Sequence, residues 1–594
     1  MSICPLVKVT LYGAFEDKER ILSDLQAHGC LHLIPLAAKK PVSIKEGPST
    51  KSRNTLKFLF DCPQKRKPVM EASDFDPNQI ESEVLSVKHQ LQEMQLKRDF
   101  LQKRISDLEP WGNFHYSPLQ KVKDRRLWFY TVPHYKMNPI YSISQPWQVV
   151  QKDNRFSYVI VISPVEPREM PVPRTHTGDI PPSELKRQYD EVETILEDLH
   201  LKRVHLTRWR YLFSQSLNRL EDQAALSQAS RDALDDPPVF AVQGWVPEMS
   251  LLNLQAYVRQ KELAIEIEKP KANETPPTLM KNPPPLDGGQ DLVSFYMTPG
   301  YWTWDPSQPV FLSFVIFFSL VLSDAGYAVL LGLGLLFSWN YMSKTDFRCR
   351  LRTLFAALVT ASVVWGMLIG SYFGVNPPPD SLLASLKLFD IHDSTTMMRL
   401  SIFLGAFHVA WAHLATIQNR CWSIRSLVSI GWVIMILGAL MIWLSFPDAA
   451  EYLLHAGYAT LGLGAFLVLW FTHPQSSTGF RLLKGALALT RITNAFGDVL
   501  SYLRLFALGL ASASLAFAFN DLAAQVAQEF SGMGKLLALM VLLIGHGFNL
   551  VLAVVSGFIH GLRLNFIEFF NWGIEEEGMP FRPFMKKEKL SWNH

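Results

Sequence analysis

A series of long apolar runs in the second half of the chain constrains the fold more than any other feature. The seven runs are 309–338, 353–374, 400–418, 427–446, 453–472, 485–526 and 536–565. Most of them have enough residues to cross a hydrocarbon layer about 30 Å thick. Residues 1–300 instead mix charged and apolar residues, as soluble proteins do. We therefore predict a chain that is half soluble and half embedded in a membrane.

The charges between the runs predict how often the chain crosses the membrane. The loop after the first run carries one acid and the bases Lys344, Arg348, Arg350 and Arg352. Short basic loops stay on the cytoplasmic side, so the run 309–338 must cross an even number of times. Its central stretch, Ser323–Gly326, has the composition of a turn. Eight crossings follow, with both termini in the cytoplasm of a multi-pass protein of the cell membrane.

The later loops agree with this topology. The mildly acidic loop 376–399 and the loop around Asp448 and Glu451 are expected outside. The basic residues expected inside are Arg420, Arg425, Arg481, Lys484, Arg582, Lys586, Lys587 and Lys589. The run 485–526 would make about 63 Å of helix, so we predict one long, steeply tilted helix there. The run 536–565 would make about 45 Å and is also predicted to tilt.

Two helical segments in the soluble half carry apolar residues at coiled-coil spacing. The first seam is Ile80, Val84, Val87, Leu91, Met94, Leu101, Ile105 and Leu108, and the second is Leu185, Tyr189, Val192, Leu196, Leu199, Leu206, Phe213, Leu217 and Leu220. We predict an antiparallel coiled-coil stalk of helices at about 78–109 and 183–224, with an α/β head at roughly 110–180. Residues 3–36 have a βαβ-like pattern. Two ordinary amphipathic helices in a compact domain remain the alternative.

The predicted fold class is thus mixed, with cytoplasmic α/β heads on a coiled-coil stalk followed by an all-α membrane domain. A proline-rich stretch from Pro270 to Pro285 separates the two parts. The predicted boundaries are 1–290 for the cytoplasmic domain, 291–308 for a linker, 309–570 for eight transmembrane helices and 571–594 for a cytoplasmic tail.

Composition and motifs exclude several classes of function. A net charge of +3 argues against a strongly basic nucleic-acid binder. The sequence has no GxxxxGKS/T, HExxH or CxxC motif, so we expect no nucleotide-binding site, no metal site and no cofactor. Metal-ligand spacing and a disulfide pattern are also missing from the five cysteines, Cys4, Cys30, Cys62, Cys349 and Cys421. Any energy source must be a partner or an ion gradient.

Arg504 is the sharpest functional candidate, because an ionisable group in an apolar helix costs several kcal/mol unless it is paired or hydrated. It lies about 30 Å from either end of its run, too far to reach the membrane surface. Its guanidinium is a permanent positive charge. Small residues beside it would admit another helix, and its helical face carries Gly497, Ser501, Leu508 and Ala511. A permanent pair with a buried acid such as Asp324 is the alternative.

A polar stripe marks the following apolar helix. Steps of three and four residues place on one face His546, Asn549, Ala553, Ser556, His560 and Arg563. Such a face lines either a water path or a hydrogen-bonded seam between helices, and both remain open. Asp324, His408 and His413 are weaker candidates. Asp498 and Arg491, seven residues apart on one face, are expected to bind a partner or water near the inner surface.

Two motifs, SYLRLFALGLA (501–511) and IGHGFNLVLAVVSGFIHGLRLNFIEFF (544–570), carry a resemblance. Supporting segments are GWVP (244–247), YMTPGYWTWDP (296–306), SDAGYAVLL (323–331), WGMLIGSYFG (365–374) and LGAFH (404–408). With these the chain resembles, nearly throughout, the membrane subunit a, or subunit I, of V-type and archaeal-type rotary ATPases. Its short external loops resemble the bacterial or archaeal form.

The resemblance implies that Arg504 faces a rotating ring of proteolipid subunits, that Arg563 is the second essential arginine, and that the last two of eight membrane helices are long and tilted. The implied half-channel residues are His546, Asn549, Ser556, His560, Ser512, Asp498 and Glu568, with Asp324 and His408 as weaker candidates. Eukaryotic members often have His where this chain has Ser512, and Glu where it has Ala553. The outer half-channel is therefore expected to use other groups.

The resemblance further implies a stator subunit that couples proton translocation to ATP hydrolysis or synthesis and is not an enzyme on its own. Its N-terminal half would bind peripheral-stalk E/G-type subunits and a central-stalk d/C-type subunit, and lipid would surround its membrane half. Sodium remains open as the ion, because the ring's own site selects it. The competing hypotheses are a secondary transporter, which also uses charges at mid-bilayer, and a non-transporting scaffold.

Overall fold

The structure is a computed structural model that describes residues 3–36, 47–113, 125–178, 180–419, 423–424, 426–445, 451–529, 533–574 and 576–587. These residues form two compact units. The first comprises the described parts of 1–39 and 229–585, and the second those of 40–228 with Lys586 and Lys587. Four of the charges used to predict the topology lie outside the described residues: Arg420, Arg425, Asp448 and Lys589. Cys421 also lies outside them.

The strands are β1 (Leu6–Ala14), β2 (His32–Ile34), β3 (Arg126–Pro133), β4 (Trp147–Lys152), β5 (Phe156–Ser163), β6 (Leu234–Asp236), β7 (Val239–Pro247) and β8 (Ala264–Glu268). The first helices are α1 (Lys18–His28), α2 (Thr50–Phe60), α3 (Pro77–Leu108), α4 (Pro182–Leu206), α5 (Arg210–Asp232), α6 (Leu251–Gln260) and α7 (Asp287–Tyr296). The apolar helices begin with α8 (Ser307–Leu322), α9 (Ala325–Met342), α10 (Asp346–Ile369), the short α11 (Leu382–Ser385), α12 (Ser394–Asn419), α13 (Ser426–Ser445) and α14 (Glu451–Phe471). They end with α15 (Thr478–Leu489), α16 (Ile492–Leu500), α17 (Leu503–Glu529), α18 (Gly534–Arg563) and α19 (Phe570–Gly573).

The first unit contains an antiparallel sheet with the strand order β2-β7-β1-β8, and β6 also pairs with β7. The predicted βαβ-like start is confirmed in its element order, since β1, α1 and β2 follow one another. The strand β7 lies between β1 and β2 and pairs with both, from Leu6↔Pro247 to Ala14↔Val239 on one side. A Cβ at Gly244 would lie 2.6 Å from His32 O, so glycine is what allows β2 to approach.

In the second unit, α3 and α4 pack antiparallel. Glu83, near the start of α3, forms an ion pair of 3.5 Å with Lys202, near the end of α4. Arg104, near the end of α3, donates to Thr177 O just before α4 (2.6 Å). Most seam residues lie in one shared core, but Leu220 is 46% exposed, so its place in the seam is wrong. The second predicted helix is also divided, because a 3-10 turn at Thr207–Trp209 separates α4 from α5.

The predicted head at 110–180 is only in part what the sequence indicated. Its described residues from 125 to 178 form a three-stranded antiparallel sheet in the order β3-β5-β4 with short 3-10 turns, and no α-helix. Strand β5 alternates between buried and half-buried residues, which is the pattern of a sheet with one covered face. An α/β head over the whole of 110–180 stays a prediction, because residues 114–124 lie outside the described part of the chain.

The predicted turn inside the first apolar run is confirmed, because α8 ends at Leu322 and α9 begins at Ala325. Ser323 adopts a left-handed conformation (φ 46°) and Asp324 caps α9. Seven described helical segments are long and apolar enough to cross a membrane, whereas α8 has only 16 residues. Residues on every side of α8 are buried, so it is a central helix of the unit. The number of eight crossings stays a prediction.

The prediction of one long helical run over 485–526 is confirmed, because it lies within a single helical segment of 52 residues, Thr478–Glu529. Turns at Thr490–Arg491 and Ser501–Tyr502 divide this segment into α15, α16 and α17. Its steep tilt stays a prediction. Thr490 and Ser501 hydrogen-bond through their hydroxyls to carbonyls of the preceding turn, Leu487 O (2.7 Å) and Gly497 O (3.1 Å). Hydroxyls bonded in this way bend helices. The helix expected over 536–565 is confirmed as α18, which continues into a π-helix at Leu564–Phe569.

Candidate functional site

The helix α17 has one buried face and one open face. The buried face comprises Tyr502, Leu505, Gly509, Ser512 and Ala516, in steps of three and four. The opposite face starts with Arg504 and continues through exposed small residues at Ala507, Ala511, Ser514 and Ala518. A Cβ added at Gly497, about two turns before Arg504, would meet nothing within 4 Å. Small residues let helix backbones approach closely, so this face has the shape of a helix contact surface with no helix of the described chain on it.

The acid nearest to Arg504 is Glu568. The Arg504 Nη1 and Glu568 Oε1 atoms are 4.0 Å apart, with side chains 23% and 3% exposed. This separation is too long for a hydrogen bond. Arg504 Nη1 and Glu568 Oε2 are also buried without a hydrogen-bond partner among the described residues. The ion pair is therefore incomplete on both sides.

Asp324 is not the partner of Arg504. It accepts hydrogen bonds from the hydroxyl of Ser371 (2.7 Å) and from the backbone N–H groups of Tyr327 (2.9 Å), Phe373 (3.0 Å) and Gly374 (2.9 Å). Four donors satisfy a buried carboxylate. The structure thus places this weaker candidate as the cap of α9 and the anchor of the loop after α10.

Glu568 lies in the π-helix that follows α18. Single π turns change the register of the helix and are frequent at functional sites. The turn is held by Asn565, whose side chain accepts from the hydroxyl of Ser313 on α8 and donates to Gly561 O (3.0 Å). Glu568 is therefore positioned by the packing of α18 on α8.

Three residues of the predicted stripe lie on the same side as this pair. Ser556 and His560 are half-buried and Arg563 is exposed. His560 Nδ1 is buried without a partner in the described part of the chain. The charges of Arg504 and Arg563 both act on His560 and on Glu568. We call Arg504, His560, Arg563 and Glu568 the Arg504 cluster.

The other end of the stripe forms a closed hydrogen-bond network. Asn549 is 1% exposed and donates to Tyr327 Oη (3.0 Å) and to Ser512 O (2.9 Å). Tyr327 Oη lies 2.7 Å from His546 Nδ1, and His546 Nε2 lies 3.0 Å from Asn520 Oδ1. Asn520 in turn donates to Phe373 O (2.7 Å). These five residues, Tyr327, Ser512, Asn520, His546 and Asn549, are the Tyr327 network.

The distances of the Tyr327 network agree with one direction of donation. Tyr327 accepts from Asn549, and when its own hydroxyl proton is donated to His546 Nδ1, the other ring nitrogen, Nε2, donates to Asn520 Oδ1. Ser512 completes the set by donating to Asn549 Oδ1 (3.4 Å). Each of the five residues has a partner, which is the arrangement of a helix–helix seam.

His408 contacts the neighbours of both charges of the incomplete pair. Its Nδ1 lies 2.7 Å from Tyr502 Oη, two residues before Arg504. Its ring stacks on Phe569, next to Glu568, with centroids 4.2 Å apart. The imidazole is 2% exposed and its Nε2 has no partner among the described residues. His408 thus packs against residues next to both Arg504 and Glu568 and helps to fix the positions of their backbones.

Asp498 and Arg491 meet on one residue that sequence reasoning did not single out. Trp572 donates from Nε1 to Asp498 Oδ2 (2.7 Å), and the Arg491 guanidinium lies 4.5 Å from the Trp572 ring centroid. Tyr327, Asn520 and Tyr502 are further residues that sequence reasoning left out. The signal that could have identified them is a side chain with a hydroxyl or amide group within an otherwise apolar helix, because such a group usually has a hydrogen-bond partner when it is buried.

Taken together, the apolar helices and the charges between them define a multi-pass membrane protein.

No family model matches the chain. A protein described as V-type ATP synthase subunit I of Chlamydia pneumoniae is 27% identical over 592 residues, covering 85% of this chain and 86% of that one. The protein of the same description from Borreliella burgdorferi is 24% identical and covers 99% of this chain and all of its own.

A protein described as A-type ATP synthase subunit I of Methanocaldococcus jannaschii is 25% identical, over 68% of this chain and 62% of its own. A solved structure described as the cytoplasmic N-terminal domain of subunit I, homolog of subunit a, of V-ATPase covers 44% of this chain at 13% identity, with a TM-score of 0.22 that is too low for a fold assignment. The chain is similar over most of its length to subunit I of V-type and A-type ATP synthases, and the predicted resemblance is confirmed.

Proposed function

We propose that the chain is the stator subunit of a V/A-type rotary ATPase, which forms two ion half-channels against a proteolipid ring and couples proton translocation to ATP hydrolysis or synthesis. The observation that carries this proposal is the incomplete Arg504–Glu568 pair on an open face of small residues. A permanent cation with an unused donor fits an acid that arrives from another subunit.

The charge of Arg504 explains how such a ring is unloaded. A ring carboxylate that carries a proton is neutral and can face lipid. Within about 4–6 Å of Arg504 its ionised form is favoured, because an opposite charge stabilises it. The proton then leaves on one side, and the next carboxylate is reloaded from the other. Arg504 also repels cations that would pass directly between the two half-channels.

The Arg504 cluster supports one of the two ion paths. Its unpartnered buried atoms, on Arg504, His560 and Glu568, are where water or a ring group would bind. Ser556 lies on the same face of α18, one turn before His560, and Arg563 is exposed. We assign these five residues to an ion path next to the ring contact.

The Tyr327 network is proposed as the wall of the other path. Ser512, His546 and Asn549 already have partners at 2.7–3.4 Å. Because its members are paired with one another, the network holds α9, α17 and α18 together, and we propose that it bounds this path without itself binding the ion. Asp498, bound to Trp572, is proposed to line the path on the side of α16.

The soluble half is proposed as the part that resists torque. Its stalk helices α3 and α4 expose charged surfaces along their length, which suits contacts with peripheral-stalk E/G-type subunits. The sheet of the first unit is proposed to contact a central-stalk d/C-type subunit.

Replacing Arg504 tests the proposal. In the assembled complex reconstituted into vesicles, Arg504→Ala and Arg504→Lys are expected to abolish ATP-driven proton uptake while the subunit still assembles. Lys344→Ala, which removes an exposed charge in the loop after α9, is the matched control and should pump normally. Normal pumping by Arg504→Ala would show that the proposal is wrong. Stimulation of the ATPase by Na⁺ would change the ion from proton to sodium.

A further inference from the structure

An open polar cavity of about 680 Å³ lies at one end of the helices α12, α13 and α14. It shares no residue with the Arg504 cluster. Its lining includes Arg491, His413, His473, Thr416, Ser476 and Asn571. None of the described residues that line it is acidic. The cavity is therefore a basic and hydroxyl-rich site.

Arg491 supplies a cation that is available for a ligand. Its guanidinium stacks on the Trp572 ring, while the nearby Asp498 accepts its hydrogen bond from Trp572 Nε1 (2.7 Å). Among the described residues, no acid lies within 4 Å of the Arg491 guanidinium. A stacked arginine keeps its N–H edges free for bidentate hydrogen bonds to oxyanions.

His413 supplies an unsatisfied buried group in the same cavity. It is 5% exposed and stacks in parallel on Trp432 (centroids 6.1 Å apart, planes at 3°). Its Nε2 is buried and has no partner among the described residues. Buried polar atoms almost always have a partner in folded proteins, so this atom points to a group that occupies the cavity.

An apolar cavity of about 320 Å³ adjoins the polar one at Trp432, which lines both. It follows α13 from Trp432 through Ile436 and Ala439 to Trp443. These eleven steps along a helix amount to about 16 Å. A polar cavity beside an apolar one of this length, with Trp432 in the lining of both, fits an amphipathic ligand better than a free ion.

We propose that the two cavities form one binding site for an acidic phospholipid. The phosphate of the headgroup binds Arg491 and the neutral donors around it, and an acyl chain fills the apolar channel along α13. Basic pockets between transmembrane helices are known to hold the headgroups of acidic lipids. The bound lipid would pack against α16, the helix that precedes Arg504, and would hold that helix in place.

The test measures lipid retained by the assembled, purified complex. The complex is stripped with detergent, reloaded with phosphatidylglycerol or phosphatidylcholine of the same acyl chains, washed, and analysed for bound lipid by mass spectrometry. The native complex should retain phosphatidylglycerol over phosphatidylcholine, and Arg491→Gln should reduce that preference about tenfold. Arg491→Lys should keep most of it because the charge remains. Lys484→Gln, which removes a basic residue that lines neither cavity, should behave like the native complex.

A second variant separates a lipid from free phosphate. Ala439→Phe fills the apolar channel and should lower the retention of both lipids. If inorganic phosphate displaces the lipid and Ala439→Phe has no effect, the site binds free phosphate and the lipid proposal is wrong. Unchanged phosphatidylglycerol retention in Arg491→Gln would also overturn it.

Discussion

The two ends of the polar stripe on α18 have similar side chains, but the polar groups at one end have hydrogen-bond partners and several at the other end do not. At one end, His546 and Asn549 belong to a network in which each residue has hydrogen-bond partners. At the other, His560 Nδ1, Arg504 Nη1 and Glu568 Oε2 are buried without partners among the described residues. The cost of a buried polar group is removed by its hydrogen bonds. A polar residue in a membrane helix therefore indicates function most strongly where its hydrogen bonds are missing.

Neighbouring helices explain why the two ends differ. A Cβ at Gly545 would overlap the Phe519 ring of α17, and Ala553 is buried in a core with Phe314 and Phe318 of α8, so small residues let both helices pack closely on α18. Ser512, Asn549 and Ala553 carry no charge, and the nearby carboxylate of Asp324 is already bound by four donors. At the other end the π-helix redirects the chain, and the small-residue face of α17 stays open.

The largest effect in this comparison is expected from Glu568→Gln. It leaves Arg504 without its acid and should reduce ATP-driven proton uptake by about tenfold or more, which corresponds to about 1.4 kcal/mol. Tyr327→Phe in the satisfied network should retain most of the uptake. Proton uptake into vesicles at matched complex amounts measures both, and equal losses in the two variants would erase the distinction.

Cysteine labelling should give the next largest difference. Ser556→Cys, His560→Cys and Arg563→Cys are expected to react with small aqueous thiol reagents in the assembled complex. Asn549→Cys and Ala553→Cys should stay unlabelled over the same time, because both positions are buried. Labelling is counted by mass spectrometry on a background without reactive native cysteines. Uniform inertness along the helix would favour a hydrogen-bonded seam over its whole length.

A smaller effect on stability is expected in the network. Asn549→Leu leaves Tyr327 and Ser512 O without their donor and should lower the free energy of unfolding by about 1–2 kcal/mol. The ratio of protons moved to ATP hydrolysed should not change. Thermal unfolding of the purified complex measures the first and vesicle assays the second. Thr360→Val, which removes an exposed hydroxyl bonded only within its own helix, is the control and should change little.

The smallest effect is expected at Tyr502. Tyr502→Phe keeps the ring and removes one hydrogen bond to His408, so the loss of stability should be about 0.5–1.5 kcal/mol. Because this bond supports the chain just before Arg504, the ratio of protons moved to ATP hydrolysed should fall slightly. If Tyr502→Phe loses stability while the ratio of protons moved to ATP hydrolysed is unchanged, the hydrogen bond between Tyr502 and His408 contributes to packing alone.

Local sequence pattern was sufficient for several features of the fold. The turn at Ser323–Asp324, the start of β1-α1-β2 and the helix α18 all follow from short-range composition and periodicity. The motif around Arg504 was also enough to indicate the resemblance. These features depend on residues within a few helical turns of one another, so they can be predicted from the sequence alone.

Longer-range features needed the tertiary structure. Tyr327 and His546 are 219 positions apart, and the ion pair joins Arg504 on α17 to Glu568 in a π turn. The turns before and after α16, and the three-stranded sheet of residues 125–178, were likewise not indicated by the sequence pattern. The sequence by itself determined which residues are polar and on which helical face they lie. Only the packing of helices decided which of them have partners, because a hydrogen bond needs two groups within about 3 Å and distant parts of the chain supply them.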